Sequence, residues 1–460
     1  MINMLQRIRK HAALPAAVLA VAVIAAIFVR LYGLKDRETI ELHHLSGDPS
    51  VLADLVIDGA VSDSYHRTAF TIENGVLRKR TELYEEPFYV QNVRYSPGAR
   101  LKRDDREYEV HPSFLSGTDF EIVYYEYRNR HHVGGGTAKI DTGLSYASSN
   151  EYYTFTNAQE YGLAFIGDRI FYAPPTTLDY KGTSGIYEVT KFHARSRLSI
   201  EQPPEQESRL LAELDLNGNS AERREGLEIL GLEAAGDKLA LVVLLDGKLA
   251  VRGYDSDSGQ MIGEVRLDEK GRAPAMAEAS GGSETEAVPS EEIYYEGYGA
   301  SADDDIGVLN LKFRSSLTTN EKRRMMVVSV ALSDDGLRLL NKAKLSRGDE
   351  EYGDAQYSYR NGMLYEAGVV FDQNSDQYYA YDVLKPKRLL IRAYEGERLV
   401  YEGEIRSDVN DDSVQSSYIH DAYAYGLTYD GTRFRMLEPV RFAGINGEEE
   451  GRHAAADRHS

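Results

Sequence analysis

From about Leu34 onward, apolar and polar positions alternate over short runs that are broken by Gly, Asn and Asp. "FEIVYYEYR" (Phe120–Arg128), "GDKLALVVLL" (Gly236–Leu245) and "RLLIRAYE" (Arg388–Glu395) are examples. A period of two places successive side chains on opposite faces, so these runs predict strands. Helical periodicity is scarce. The best helix candidate is "SAERREGLEILGLEAAG" (Ser220–Gly236), which reads equally as a loop entering a strand.

Two elements recur. The first is a Gly-containing turn leading into a strand, at Gly75, Gly167, Gly236, Gly362 and Gly431. The second is a hairpin: "VRGYDSDSGQMIGEVRL" (Val251–Leu267) resembles "LLIRAYEGERLVYEGEIRS" (Leu389–Ser407) and, more loosely, "MVVSVALSDDGLRLLNKAKL" (Met326–Leu345). Their alternation gives units of about four strands, the pattern of a β-propeller blade. A unit cannot bury both faces alone, so units must stack. The expected fold is all-β, a propeller over residues 37–445 with about seven blades, six or eight being the alternatives. The units fall near 50–96, 105–145, 152–200, 209–268, 291–346, 350–407 and 415–443. The last is short, and Arg37–Leu45 is expected to supply its missing strand and close the ring. Residues 268–292 and 446–460 are rich in Ala, Glu, Gly and Ser with little to bury, and are expected to be disordered.

The N-terminus breaks the alternation. Arg7, Arg9 and Lys10 precede an uncharged apolar run from Ala12 to Val29. At about 1.5 Å per residue such a run matches a hydrocarbon core. Basic residues on its near side predict a cytoplasmic tail at 1–11, a transmembrane anchor at 12–33 and an extracytoplasmic remainder. A cleaved leader is the rival, since Ala20-Val21-Ala22 has the form of a cleavage site. Cutting there would leave "VIAAIFV" as an apolar terminus, which favours the anchor.

The apolar fraction, 42% of 460 residues, is ample for a large core. A net charge of −21 repels nucleic acid and anionic headgroups, so nucleic acid is not an expected partner. The absence of cysteine excludes disulfides, thiolate metal sites, a thiol nucleophile and an N-terminal lipidated cysteine.

Candidate chemistry is sparse. In "DSDSGQMIGEVR", Asp255 and Asp257 match the first two ligand positions of a calcium loop. Gly259, Gln260 and Arg266 then stand where a ligand, a glycine and a bidentate acid are required, so the stretch reads as a turn. "DLNGNS" (Asp215–Ser220) fails similarly. "RNRHHVGGGTAKIDTG" (Arg128–Gly143) places three glycines beside a histidine pair, but no helix follows and Lys139 lacks the phosphate-loop setting. It reads as a surface hairpin. His43-His44 and His131-His132 are adjacent on strands and so face opposite ways. His420 stands beside Asp421 without an identifiable nucleophile. "ASADDDIG" (Ala300–Gly307) and "VNDDS" (409–413) read as solvated loops. No metal, cofactor, catalytic or ligand-binding residue is singled out. The 33 tyrosines cluster in "YYEYR", "EYYTF", "EEIYYEGYG", "DQYYAYD" and "YIHDAYAYG". Packing between blades is their first reading and an aromatic ligand face the second.

With its apolar N-terminal run, its lack of Cys and Trp, its Tyr-rich strands and "LSGDPSVLADLVIDGAVSDSYH" leading into the first unit, the chain resembles membrane-anchored extracytoplasmic β-propeller-like proteins of unknown role from Gram-positive spore formers. The resemblance implies a single-pass protein of the cell membrane and transfers no site residue. The expected function is binding or scaffolding in the cell envelope, with a protein or glycan as partner. The alternative is a glycan-processing hydrolase with carboxylates in the propeller channel.

Overall fold

The computed structural model describes residues 13–34, 40–62, 66–84, 101–103, 106–112, 119–128, 131–146, 159–177, 180–194, 207–216, 226–272, 295–315, 324–346, 352–371, 387–407, 414–416, 435–437 and 440–444. Helix α1 (Ala13–Leu34) covers the apolar run. Side chains are described for about half of α1, and those of Val18, Leu19, Val21, Val23, Ile24, Ile27 and Val29 are exposed. Among the described residues no helix is long and apolar enough to cross a membrane.

Apart from short 3-10 turns at Pro49–Leu52, Gln159–Gly162 and Asp304–Ile306, the other described elements are strands, in five hydrogen-bonded and predominantly antiparallel sheets. In chain order β1 is Ile40–Gly47, and β2, β3 and β4 are Leu55–Ser62, His66–Glu73 and Val76–Leu83. Strands β5 to β8 are Leu101–Arg103, Arg106–Pro112, Phe120–Arg128 and His131–Ile140. Strands β9 to β12 are Gly143–Tyr146, Leu163–Ile166, Arg169–Tyr172 and Tyr180–Val189, with β13 at His193–Ala194 and β14 at Ser208–Asp215. Strands β15 to β18 are Leu227–Ala235, Lys238–Leu245, Lys248–Asp255 and Met261–Arg272. Strands β19 to β22 are Tyr295–Asp303, Val308–Ser315, Arg324–Ser333 and Gly336–Ser346. Strands β23 to β26 are Tyr352–Arg360, Met363–Phe371, Lys387–Glu395 and Arg398–Ser407. Three short strands follow, β27 (Val414–Ser416), β28 (Arg435–Leu437) and β29 (Arg441–Gly444).

The first sheet joins both ends of the domain: β2-β3-β4 from the start, with β28 and β29 from the end on the free side of β2. The second is β13-β8-β7-β6-β5, and the third is β10-β11-β12-β14 with β9 beside β12. The fourth has eight strands in two four-stranded halves, β15–β18 and β19–β22, linked by a short parallel pairing of Gly271 and Arg272 with Tyr295 and Glu296. The fifth is β23-β24-β25-β26 with β1 on its outer edge.

Side-chain alternation explains how the sheets stack. Along β16, Leu239, Leu241 and Val243 enter a core shared with the second and third sheets. Ala240, Val242 and Leu244 enter a different core, shared with β19–β21. A strand buried on both faces reads as a continuous apolar run, as "KLALVVLL" does. Further cores lie between β19–β22 and the fifth sheet, and between the fifth and first sheets.

The turn residues follow from geometry. Asn74–Gly75, Asp246–Gly247 and Asn361–Gly362 all have positive φ, the form that a two-residue hairpin of type I′ requires. The three similar hairpins occupy equivalent places: β17–β18, β21–β22 and β25–β26 are each the last two strands of a four-stranded group.

Several expectations are corrected. Ser220–Gly236 is no helix where it is described: Leu227–Ala235 is a strand, because its apolar positions serve the cores on both faces. Asp268–Arg272 extends β18 and does not belong to a disordered insertion, while 273–294 lie outside the described residues. The unit at 415–443 does not stand alone: β28 and β29 complete the first sheet. The strand within Arg37–Leu45 pairs with β26 and not with that last unit. Ser208–Asp215 closes the third sheet and does not open the next. The described strands thus fall into six groups of four to six strands, the eight-stranded sheet counting as two. Residues 446–460 lie outside the description.

Candidate functional site

Strands of successive groups lie against one another: β10 meets β15, β15 meets β19, β19 meets β23, and β23 meets β29, the strand that the end of the chain adds to the first sheet. Polar side chains link these strands from sheet to sheet, and β19 takes part in most of the links.

On one side, the Tyr298 hydroxyl on β19 donates to Glu233 Oε1 on β15 at 2.8 Å. The Tyr298 ring stands 5.5 Å from that of Tyr161, in the turn before β10, and 6.0 Å from that of Phe313 on β20. Gly231 makes this approach feasible, since a Cβ there would lie 2.0 Å from the Tyr298 hydroxyl. Burial pushes the Glu233 carboxyl up to about 7, against one hydrogen bond that opposes the shift. Tyr298 is raised well above its ordinary value by the same burial and by the carboxylate. A carboxyl in this state holds its proton near neutral pH, the property a general acid needs.

On the other side, Asp303 at the end of β19 is buried and pairs with Arg360 at the end of β23, while Ser358 Oγ donates to it at 3.2 Å. Burial raises the Asp303 carboxyl even though the guanidinium opposes it. Between these links, Ser301 Oγ donates to the Tyr357 carbonyl at 2.7 Å and accepts from the Tyr357 amide at 3.2 Å. The solvated-loop reading of Ala300–Gly307 is therefore corrected. Asp303 is a buried partner of Arg360, and Asp304 Oδ1 accepts from the Gly236 amide at 3.1 Å. Three consecutive aspartates look alike in sequence; only the packing of β19 on β23 singles out Asp303.

The other motifs serve the scaffold. Asp255 Oδ1 accepts from the Ser258 amide at 2.8 Å and hydroxyl at 2.7 Å, and from the Asp257 amide at 3.2 Å. Its Oδ2 meets Lys238 Nζ at 3.1 Å, while Asp257 pairs with Arg169 at 2.6 Å. The Ser258 bonds, followed by Lys238, hold the Asp255 carboxyl well below its ordinary range. Both acids of the rejected calcium loop are thus engaged by the protein's own donors. Asp237 (3.1 Å) and Asp334 (2.7 Å) complete three carboxylates around buried Lys238. No cluster of side chains suited to a metal ion occurs among the described residues.

Gly134–Gly136 lie within strand β8, paired with β7. A Cβ on Gly135 would lie 2.5 Å from the Tyr124 carbonyl, and one on Gly136 would lie 2.7 Å from the Tyr124 ring. Gly135 and Gly136 allow close strand approach, while the Cβ position of Gly134 is open. His43 and His44 do face opposite ways: His43 meets Glu41 at 3.4 Å, and His44 meets the Tyr401 hydroxyl at 2.8 Å. The described tyrosines are mostly packed with the hydroxyl engaged, as in Tyr172 to Gln159 (3.0 Å), Tyr365 to the Val51 carbonyl (3.0 Å) and Tyr394 to Glu366 (2.9 Å). His420, Asp421, "VNDDS", "EYYTF", "DQYYAYD" and the side chains of His131 and His132 lie outside the described residues, as does "DLNGNS" beyond Leu216.

No protein-family model matches the chain, and no curated protein matches it. Among solved structures it is similar to a prolyl endopeptidase, at 11% identity over 86% of this chain and 47% of that one, with a TM-score of 0.31. A polysaccharide lyase aligns at 7% identity over 71% of this chain and 74% of that one, with a TM-score of 0.29. A europium-containing methanol dehydrogenase aligns at 10% over 67% and 72%, with a TM-score of 0.26. The chain spans about half the length of the prolyl endopeptidase. Likenesses at this level carry no functional argument.

Proposed function

We propose that this chain is a membrane-anchored, extracytoplasmic binding or scaffold protein of the cell envelope, built as a β-propeller of six blades. The succession β10, β15, β19, β23, β29 supports the propeller reading, because one strand of each group touching the next in turn is what blades around an axis present. The joining of β29 to β2 brings the two ends of the domain into one blade. Residues 35–39 separate α1 from β1, a reach of at most about 20 Å, so the anchor holds the domain by its rim close to the bilayer. The observation that carries the binding reading is the pairing of the first-strand polar groups with one another: Tyr298 with Glu233, Ser301 with Tyr357, Asp303 with Arg360. Groups spent on sheet-to-sheet links build a rigid scaffold, and loops are left to carry the ligand contacts. The partner is an envelope protein or glycan.

Crosslinking in intact membranes tests this reading. One stoichiometric partner recovered with a membrane-bound chain supports it. A freely secreted, shortened form overturns the anchor. A second reading, a glycan-processing hydrolase, has one observation in its favour: Glu233 holds its proton near neutral pH. Release of sugar from envelope glycan by the purified chain, abolished in Glu233→Gln, would replace the scaffold reading with this one.

A further inference from the structure

The end of the domain nearest α1 departs from the charge of the whole. Residues 35–39 lead from α1 to Ile40, the first residue of β1. Ile40 and Phe70 form a small buried cluster, and Leu77 on β4, Leu389 on β25 and Ile405 on β26 pack against it. Each of these three has an arginine beside it in sequence: Arg78, Arg388 and Arg406. Successive side chains of a strand point to opposite faces, so a packed Leu77 or Ile405 sends its neighbour outward. The side chains of Arg78 and Arg406 are 73% and 54% exposed, and that of Arg80 is 78% exposed. Lys79, opposite Phe70 in the register, and Lys387, at the start of β25, add positive charge. Glu73, Glu82 and Glu404 pair with Arg78, Arg80 and Arg406 at 3.1, 3.3 and 2.9 Å, and Glu41 meets His43. Exposed pairs of this kind are weak, and a guanidinium has five N–H donors to share. A chain of net charge −21 thus carries a basic edge beside its apolar helix.

We propose that this edge is a headgroup-binding surface: Arg78, Lys79 and Arg80, with Arg388 and Arg406, contact the phosphates of anionic lipids in the bilayer that holds α1. This contact rests on the anchored reading, in which α1 spans the bilayer, and adds a fixed orientation to it. The connection at 35–39 reaches at most about 20 Å, so the edge stays near the bilayer surface. Arginine matches phosphate with paired N–H donors. Val76, exposed and two residues before Arg78 on the same face of β4, adds an apolar contact. The same surface repels the acidic remainder of the domain. Attraction at the edge and repulsion elsewhere together set the tilt.

The full-length chain in lipid vesicles tests this contact. The chain has no cysteine, so Val76→Cys takes a fluorophore at a single place. Asp168→Cys, exposed in the turn between β10 and β11, is the control. Quenchers carried on lipid headgroups should dim the label at 76 in vesicles that contain phosphatidylglycerol, and much less in pure phosphatidylcholine. The label at 168 should not respond to lipid charge. At 1 M salt the Debye length falls to about 3 Å, and the difference between the two lipids should vanish. A basic residue near an anionic surface favours contact by about fivefold, so Arg78→Gln with Arg80→Gln should weaken it by roughly tenfold or more. Arg388→Gln with Arg406→Gln, on the fifth sheet, keeps the test decisive if the first variant folds poorly. Flotation of the vesicles is read on the same samples. A chain that does not float with them overturns the anchor, and this contact with it. A chain that floats, but whose label at 76 is quenched alike in both lipids or alike in wild type and both variants, overturns the headgroup contact and leaves the anchor standing.

Discussion

Lys238 shows how one buried side chain joins three turns. Its ammonium sits among Asp237 in the β15–β16 turn, Asp255 at the end of β17 and Asp334 in the β21–β22 turn. Asp334 is the foremost cause of its raised pKa. Replacing Lys238 with Met keeps the aliphatic bulk and leaves three acids facing one another, so a loss of about 1–3 kcal/mol is expected. It should appear as a lower thermal midpoint at pH 7 in comparative melting. Asp255 carries a pH dependence of its own. Its carboxyl is depressed in the folded chain, so its contribution is full above the ordinary value of 3.8 and disappears as the pH falls through the depressed one. Gly259 is demanding for a different reason. Its φ is +71°, and a Cβ would lie 2.0 Å from the Leu211 carbonyl on β14. Gly259→Ala should cost more than the ~1 kcal/mol of positive φ alone, because backbone must move as well. A substitution at Gly247, whose Cβ position is open, should cost about that smaller amount, and comparative melting of the two variants checks the difference.

Among the elements, β16 is the clearest case of a strand serving two cores. Leu241 faces the third sheet and Val242 faces β19–β21. Leu241→Ala should cost about 2–5 kcal/mol, and Val242→Ala somewhat less because fewer atoms are removed. The two losses should loosen different neighbours: exchange should quicken first in β10 and β11 for Leu241→Ala, and in β19 and β20 for Val242→Ala. Equal loosening on both sides in both variants would contradict the separate cores. The two-residue turns at Gly75 and Gly362 were legible at this scale because turn chemistry is local: Asn-Gly imposes positive φ whatever lies beyond it. The strand in Ser220–Gly236 was less legible, because Leu227, Ile229 and Leu232 satisfy a helical spacing as well as a strand buried on both faces, and only the neighbouring sheets decide between them.

At the scale of the molecule, the first sheet is completed by strands distant in sequence. Deleting 435–444 removes both β28 and β29 from the free side of β2. Limited proteolysis of that variant should cut first in β2 and β3, while β15–β22 stay protected. The sequence by itself determined the all-β class, the turns at Gly75, Gly167, Gly236 and Gly362 and the apolar run that α1 covers, since each depends on residues close together in the chain; the turn expected at Gly431 lies outside the described residues. Tertiary structure decided the rest. Short strands such as β28 and β29 carry too few residues to declare a partner, and they find one only where a sheet edge lies open to them. Glu233 and Asp303 are two acids among 74, and neither stands in a motif. What sets them apart is desolvation by strands far off in sequence, which no local pattern encodes.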